Sequence, residues 1–218
     1  MSAKIAIFDC DGTLIDGQAS ICEAMDAAFS AFNLAAPDRN EVRRAVGLSL
    51  PQAVRRLLPD HDAELHLDIT DMYKQAFRQA RVEGRISQPL IPGITDVLEG
   101  LKKAGWQLGV ATGMSDAGLT HCLASHGITD MFMTLQTADR HPSKPHPSMI
   151  YTALFDAAAD AQKAVMIGDT VFDIEMARNA NVRGIGVDWG YHPPHELLAM
   201  GAEIVARNPA QLLEHLLK

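Results

Sequence analysis

The chain has 218 residues, 47% of them hydrophobic and 21% charged, with a formal net charge of −8. That balance excludes an intrinsically disordered chain, and its acidity argues against a partner that is a nucleic-acid backbone or an anionic membrane surface. No apolar run approaches the roughly 20 residues of a membrane helix, and the start, MSAKIAIF, lacks a leader pattern, so a cytoplasmic protein is expected. Cys10, Cys22 and Cys122 show neither disulfide nor zinc spacing and read as reduced thiols.

In chain order, the first element is an apolar run, KIAIFD (Lys4–Asp9), which reads as a buried strand. Residues 17–88 then offer helical patterns only: SICEAMDAAFSAF, RNEVRRAVG, LPQAVRRLL and ELHLDITDMYKQAFRQAR. Gly17 precedes this segment, and SQPLIPGI, with Pro89, Pro92 and Gly93, follows it. A stretch of about 70 residues is far longer than an ordinary crossover. It is expected to form a helical cap domain, with residues 1–16 and 89–218 as the core domain.

Beyond Pro89, strand and helix patterns alternate. A helix over Ile94–Gly105 leads into a strand at QLGVAT (Gln107–Thr112). A helix over Asp116–Gly127 is followed by a weaker strand, MFMTLQT (Met131–Thr137). A helix over His146–Ala159 precedes AVMIGD (Ala164–Asp169), and a helix over Val171–Asn181 precedes RGIGVDW (Arg183–Trp189). Glycines at 105 and 127 are helix stops. The expected class is α/β, a doubly wound parallel sheet of Rossmann type carrying a small all-helical cap.

In such a sheet, ligands bind outside the carboxyl ends of the strands. Those ends carry Asp9 and Asp11, then Thr112 with Gly113 and Ser115, then Asp169 with Asp173. The proline-rich loop RHPSKPHP adds Lys144. Four carboxylates held together need a counter-charge, and an all-oxygen donor set suits Mg²⁺. With that ion and Lys144 in place, the cluster becomes a phosphate trap, in which one aspartate can attack phosphorus and the other can move protons. Cys10, between the two, should face the opposite side of the strand and serve packing.

The segments DCDGTL (Asp9–Leu14), VAT ending at Thr112, KPHP (Lys144–Pro147) and GDTVFD (Gly168–Asp173) together resemble the four ordered motifs of the haloacid dehalogenase-like hydrolase superfamily. The similarity spans nearly the whole chain. A helical insertion after the first motif is similar to that of the phosphoglycolate phosphatase-like branch. The resemblance implies Asp9 as nucleophile and metal ligand. It implies Asp11 as general acid/base, touching the metal through its backbone carbonyl. Thr112 and Lys144 would hold the phosphoryl group, Asp169 would bind the metal, and Asp173 would bind it through water. Gly113 and Met114 stand where many relatives have an asparagine.

The expected function is thus Mg²⁺-dependent hydrolysis of a small phosphorylated metabolite, a phosphoglycolate-type ester first, by a monomer or homodimer. A phosphosugar mutase or a pyrophosphatase of the same family would share both aspartates. A receiver-type signalling domain also joins aspartates, a threonine and a lysine around Mg²⁺, but its phosphoryl-accepting aspartate lies on a later strand and it has no cap. In the helical segment, Arg43 and Arg44 are candidates to clamp a second anionic group of the substrate. His141, His146, His192 and His195 lack ligand spacing and read as loop residues, and WGYHPPHEL (Trp189–Leu197) reads as a solvated loop or a flap.

Overall fold

The structure, a computed structural model, describes residues 3–218. Strand β1 (Ala3–Phe8) is followed by four helices, α1 (Gln18–Ala31), α2 (Arg39–Ala45), α3 (Leu50–Leu57) and α4 (Ala63–Val82). Then come α5 (Ile94–Lys103), β2 (Trp106–Thr112), α6 (Asp116–Ser125), β3 (Thr134–Thr137), α7 (Ser148–Asp156) and β4 (Ala159–Gly168). The chain finishes with α8 (Val171–Asn179), β5 (Arg183–Val187), α9 (Pro194–Met200), β6 (Val205–Ala206) and α10 (Pro209–Leu217). No helix among the described residues is long and apolar enough to cross a membrane.

The six strands form one sheet in the order β3-β2-β1-β4-β5-β6, with every pairing parallel. Helices cover both faces, which is why the central strands read as unbroken apolar runs rather than alternating ones. In β1, Ile5 and Ile7 enter the core on one face while Ala6 and Phe8 enter the larger core on the other. Cys10 continues the Ala6–Phe8 side and is buried there, as its alternation with Asp9 requires. The strand order reverses between β1 and β4, and a crevice opens outside the carboxyl ends of strands at such a point. Asp9 follows β1 and Asp169 follows β4, so the topology alone sets these two carboxylates side by side.

Helices α1–α4 pack around a cluster of their own, built on Met25, Phe29, Val42, Val54 and Ile69. Asp38 caps α2 and Asp62 caps α4 with their carboxylates, which explains where these helices begin. The chain enters and leaves this segment through two adjacent connections. The Asp16 N–H donates to the Pro89 carbonyl at 2.9 Å, and the Ile91 N–H donates to the Leu14 carbonyl at 2.9 Å.

Three elements depart from the sequence reading. Helix α7 ends at Asp156, because Ala158 takes a φ of +48° and Ala159 already begins β4. The first half of β4 is largely exposed, so its polar residues Asp160, Gln162 and Lys163 hide it from an apolar-run criterion. Within Trp189–Leu197, the second half is helical rather than loop. Two prolines open α9, Gly201 in the left-handed region closes it, and Leu197 is buried beneath it. Strand β6 and helix α10 carry no counterpart in the sequence reading.

Candidate active site

The strand ends deliver the site as follows. The Lys144 ammonium lies 2.9 Å from Asp9 Oδ1 and 2.6 Å from Asp173 Oδ1, and all three side chains are buried. The Cys10 N–H donates to Asp9 Oδ1 at 2.6 Å, so that oxygen is held twice. The other oxygen, Asp9 Oδ2, is buried without a partner. Asp173 sits in the first turn of α8 as one half of a capping box, its Oδ2 accepting from the Thr170 N–H and hydroxyl at 3.0 and 2.7 Å. Thr170 therefore aims Asp173, and Asp173 aims Lys144 at Asp9.

Asp169 accepts from the Thr13 hydroxyl at 2.9 Å on Oδ1 and from the Tyr191 N–H at 2.9 Å on Oδ2. Its surroundings admit no side chain at two glycines. A Cβ on Gly12, whose φ is +82°, would lie 2.2 Å from Asp169 Oδ2, and one on Gly190 would lie 2.1 Å from Asp169 Cβ. Thr112 is buried at the end of β2, its hydroxyl accepting from the Met114 N–H at 3.2 Å. Asp11 stands past the Gly12 turn and is only half-buried, with Oδ1 unpartnered and against the backbone of Gly17.

Asp9, Asp169 and Asp173 each offer an oxygen, and the three oxygens lie within 4.8 Å of one another. Like charges this close are unstable unless protonated or neutralised by a cation. The all-oxygen donor set of three buried carboxylates fits a hard divalent ion. The side chain of Asp11 does not belong to this trio.

The electrostatics follow. Burial pushes the Asp9 carboxyl from its ordinary 3.8 up to about 7, against the opposing charge of Lys144. Burial likewise pushes Asp11 up to about 6, again opposed by Lys144. Asp169 rises well above the carboxylate range, through burial and then through the charges of Asp9 and Asp173. Burial disfavours the Lys144 charge, but Asp173 and Asp9 outweigh it and hold its pKa above that of an ordinary lysine. These raised carboxyls bind protons in the folded state that the unfolded chain releases. Their contribution to stability is therefore full below about pH 4 and is lost as pH climbs through about 7. Thermal unfolding of the metal-free protein should show its midpoint falling across that window. Added Mg²⁺ should raise the midpoint more at pH 8 than at pH 5, because fewer protons then compete for the same oxygens.

A cavity of about 630 Å³ opens above Asp9, Asp11, Thr112 and Gly113, roofed by the helical segment. Gly113 is there for close approach: a Cβ on it would lie 2.3 Å from the Leu48 carbonyl oxygen. The same loop is fixed on its other side, where the Ser49 N–H donates to the Ser143 hydroxyl at 2.8 Å, next to Lys144. Gly113→Ala should push the loop off the core. The expected result is a higher KM and an unfolding midpoint lower by several degrees, read by steady-state kinetics and thermal denaturation.

Arg43 and Arg44, expected near the substrate, are not brought to this cavity. Val42 and Ala45 are the buried face of α2, so the two arginines between them point elsewhere. Arg43 contacts Asn40, and Arg44 makes a bidentate pair with Glu196 at 3.1 and 2.9 Å. The cations that do line the cavity are Lys74, Arg78 and Arg81, all from α4. The periodicity of α4 carries the mark of this face, since Tyr73, Phe77 and Arg81 recur every four residues.

The histidines stay outside the acidic trio. His141 bonds Ser148 and Gln136, and His146 accepts from the Ser148 N–H. His195 is exposed. His192 is buried, its N–H on the Asp169 carbonyl and its Nδ1 accepting from the Val171 N–H. The loop of Trp189–His192 is thus a fixed wall of the site, with Trp189 Nε1 donating to the Thr13 carbonyl at 3.2 Å. Thr13, Gly190 and Tyr191 are site residues that the sequence reading missed. The signals were there without a role attached: Thr13 lies inside DCDGTL, and Gly190 and Tyr191 lie in the run read as a solvated loop or a flap.

Comparison with known proteins agrees with this geometry. The family model for haloacid dehalogenase-like hydrolases matches residues 6–187. The chain is 33% identical over 205 residues to the Dickeya dadantii protein named "Probable phosphatase IndB", covering 92% of this chain and 88% of that protein. It is 31% identical over 191 residues to a phosphoglycolate phosphatase of Agrobacterium fabrum, covering 87% of this chain and 82% of that one. Among solved structures, a hydrolase from Pseudomonas syringae superposes with a TM-score of 0.86 at 25% identity over 98% of this chain and 97% of that one. A haloacid dehalogenase-like family hydrolase from Streptococcus pneumoniae gives 0.85 at 22% identity over 98% of both chains, a likeness of fold. With three of its four motifs at strand ends, the other in the loop before α7, and the family model matching most of its length, the chain belongs to the haloacid dehalogenase-like hydrolase family.

Proposed function

We propose that this protein is a Mg²⁺-dependent phosphatase that hydrolyses small phosphate monoesters through a phosphoryl group carried on Asp9. One observation carries the reading. Asp9 lines the cavity, with one oxygen fixed by Lys144 and the Cys10 N–H while the other is buried and unpartnered. A carboxylate aimed in this way is a nucleophile in waiting.

Asp9 Oδ2 attacks phosphorus, and the bond from phosphorus to the ester oxygen breaks. Asp11 gives its proton to that leaving oxygen. Its pKa near 6 keeps part of it protonated near neutrality, as a general acid needs. Water then attacks the phosphorus of the aspartyl-phosphate, Asp11 takes the proton, and Asp9 leaves with inorganic phosphate as product. The Lys144 ammonium and the Thr112 hydroxyl hold the phosphoryl oxygens in place during both steps. Asp9, Asp169 and the Asp11 carbonyl, with Asp173 behind them, would hold Mg²⁺, which would supply neutralisation of charge on the transferring group. Residues 17–88 act as a cap domain on the core formed by 1–16 and 89–218, hinged at the paired strands of chain around Asp16 and Pro89. Phosphoglycolate is the first metabolite to try, because relatives bear that name.

Purified protein with Mg²⁺ and para-nitrophenyl phosphate should release phosphate. EDTA should stop the reaction, and excess Mg²⁺ should restore it. Turnover that is indifferent to EDTA would sink the metal assignment, and no turnover on any phosphate ester would sink the phosphatase reading.

A further inference from the structure

The roof of the cavity has a chemical character that hydrolysis alone does not require. Helix α4 presents Tyr73, Phe77 and Arg81 at four-residue spacing, and hence on one face. The Tyr73 and Phe77 rings are stacked with centroids 5.8 Å apart, and the Arg81 guanidinium lies over Phe77 at 5.5 Å. Tyr73 lines the cavity together with Asp9 and Asp11. Arg81 marks the far end of this ladder, eight residues on, or about 12 Å along the axis at roughly 1.5 Å per residue.

Arg81 Nε is buried without a hydrogen-bond partner, and Arg78 lines the same cavity. Among the described residues, neither guanidinium has a carboxylate partner, whereas Arg39, Arg44, Arg140 and Arg183 each do. A buried guanidinium N–H left unpaired in an acidic chain costs stability unless a ligand satisfies it.

We propose that Arg81, with Arg78, is a specificity site for a second anionic group, selecting phosphate monoesters whose flat or apolar body lies along Tyr73 and Phe77. The inference rests on the phosphatase reading and refines its substrate. Asp9 and both arginines line the one cavity, so a single ester can meet all three. A cavity of about 630 Å³ admits an ester longer than phosphoglycolate, with a carboxylate or further phosphate at the end of its body. The flat body stacks on the aromatic pair, and the distal anion takes charge-assisted bonds from the guanidiniums.

The test compares biphenyl-4-yl phosphate with 4′-carboxybiphenyl-4-yl phosphate, with 2-phosphoglycolate as the short acid and para-nitrophenyl phosphate as the general probe. The carboxylated biphenyl should exceed its uncharged parent in kcat/KM by about tenfold, mainly through KM. In the Arg78→Ala/Arg81→Ala variant that ratio should fall to near one, and Arg81→Lys should keep part of it. High salt should also reduce the ratio. A ratio near one in the wild type, or one untouched in the double variant, overturns the proposal even if para-nitrophenyl phosphate is turned over well. Calorimetry of both biphenyl esters with Asp9→Asn protein reads the same preference without turnover. Absence of turnover in the wild type, with binding that still depends on the arginines, would therefore refute the phosphatase reading alone.

Discussion

Asp9→Asn is expected to reduce phosphate release by at least about 10⁴-fold, the scale on which removing an attacking group acts. The amide keeps the shape of the side chain but cannot form an acyl-phosphate of the same kind. The fold should survive, because Lys144 still has Asp173 at 2.6 Å and the substitution removes one of three crowded buried carboxylates. Circular dichroism and thermal unfolding check the fold, and phosphate release under saturating Mg²⁺ checks the activity. Mg²⁺ should also raise the unfolding midpoint of this variant less than that of the wild type, since one of the oxygen donors is gone. A fully active Asp9→Asn enzyme would remove Asp9 from the role of nucleophile.

Lys144→Met is expected to harm stability and activity together. It leaves Asp9 and Asp173 as buried carboxylates without their shared cation, and breaking such a pair costs about 3–5 kcal/mol. In a domain of this size that corresponds to an unfolding midpoint lower by roughly 6–20 °C. Activity should fall below about one hundredth of wild type, because the same ammonium positions Asp9 and, in the proposed mechanism, the phosphoryl oxygens. The double variant Lys144→Met/Asp173→Asn separates the two effects. Removing the second charge should recover part of the lost midpoint and none of the lost turnover. A double variant no more stable than Lys144→Met would show that Lys144 acts through something other than charge.

The catalytic end of the site was legible because its residues are tied to strand ends. An apolar run that stops at Asp9, Thr112 or Asp169 marks both a strand and the edge where ligands bind, so one pattern yields fold and site together. Cys10 followed from the same alternation, and it lies where that predicts. Lys144 was legible only with the family motif, since no periodicity governs a proline-rich loop. Arg43 and Arg44, expected near the substrate, do not line the cavity. Two adjacent arginines before a glycine look like a clamp, yet the apolar period of α2 turns them away, and Arg44 bridges to Glu196 instead. Arg78 and Arg81 were hidden in a long polar helix, where nothing local distinguishes a cavity face from a solvated one.

By itself, the sequence determined the parallel sheet, the helical insertion and the acidic cluster with its lysine. These depend on short-range signals, namely apolar period, caps and motif order. Only the tertiary structure decided which oxygen of Asp9 is free, why Gly12, Gly113 and Gly190 cannot carry a side chain, and which cations line the cavity. Those features arise where segments far apart in the chain come within a few ångströms of one another. The loop at Gly47–Leu48 meets Gly113, Gly12 and Gly190 meet Asp169, and α4 roofs the ends of β1 and β2. Packing of that kind has no local signature, because it is set by how the two helical and sheet cores sit on one another rather than by either segment alone.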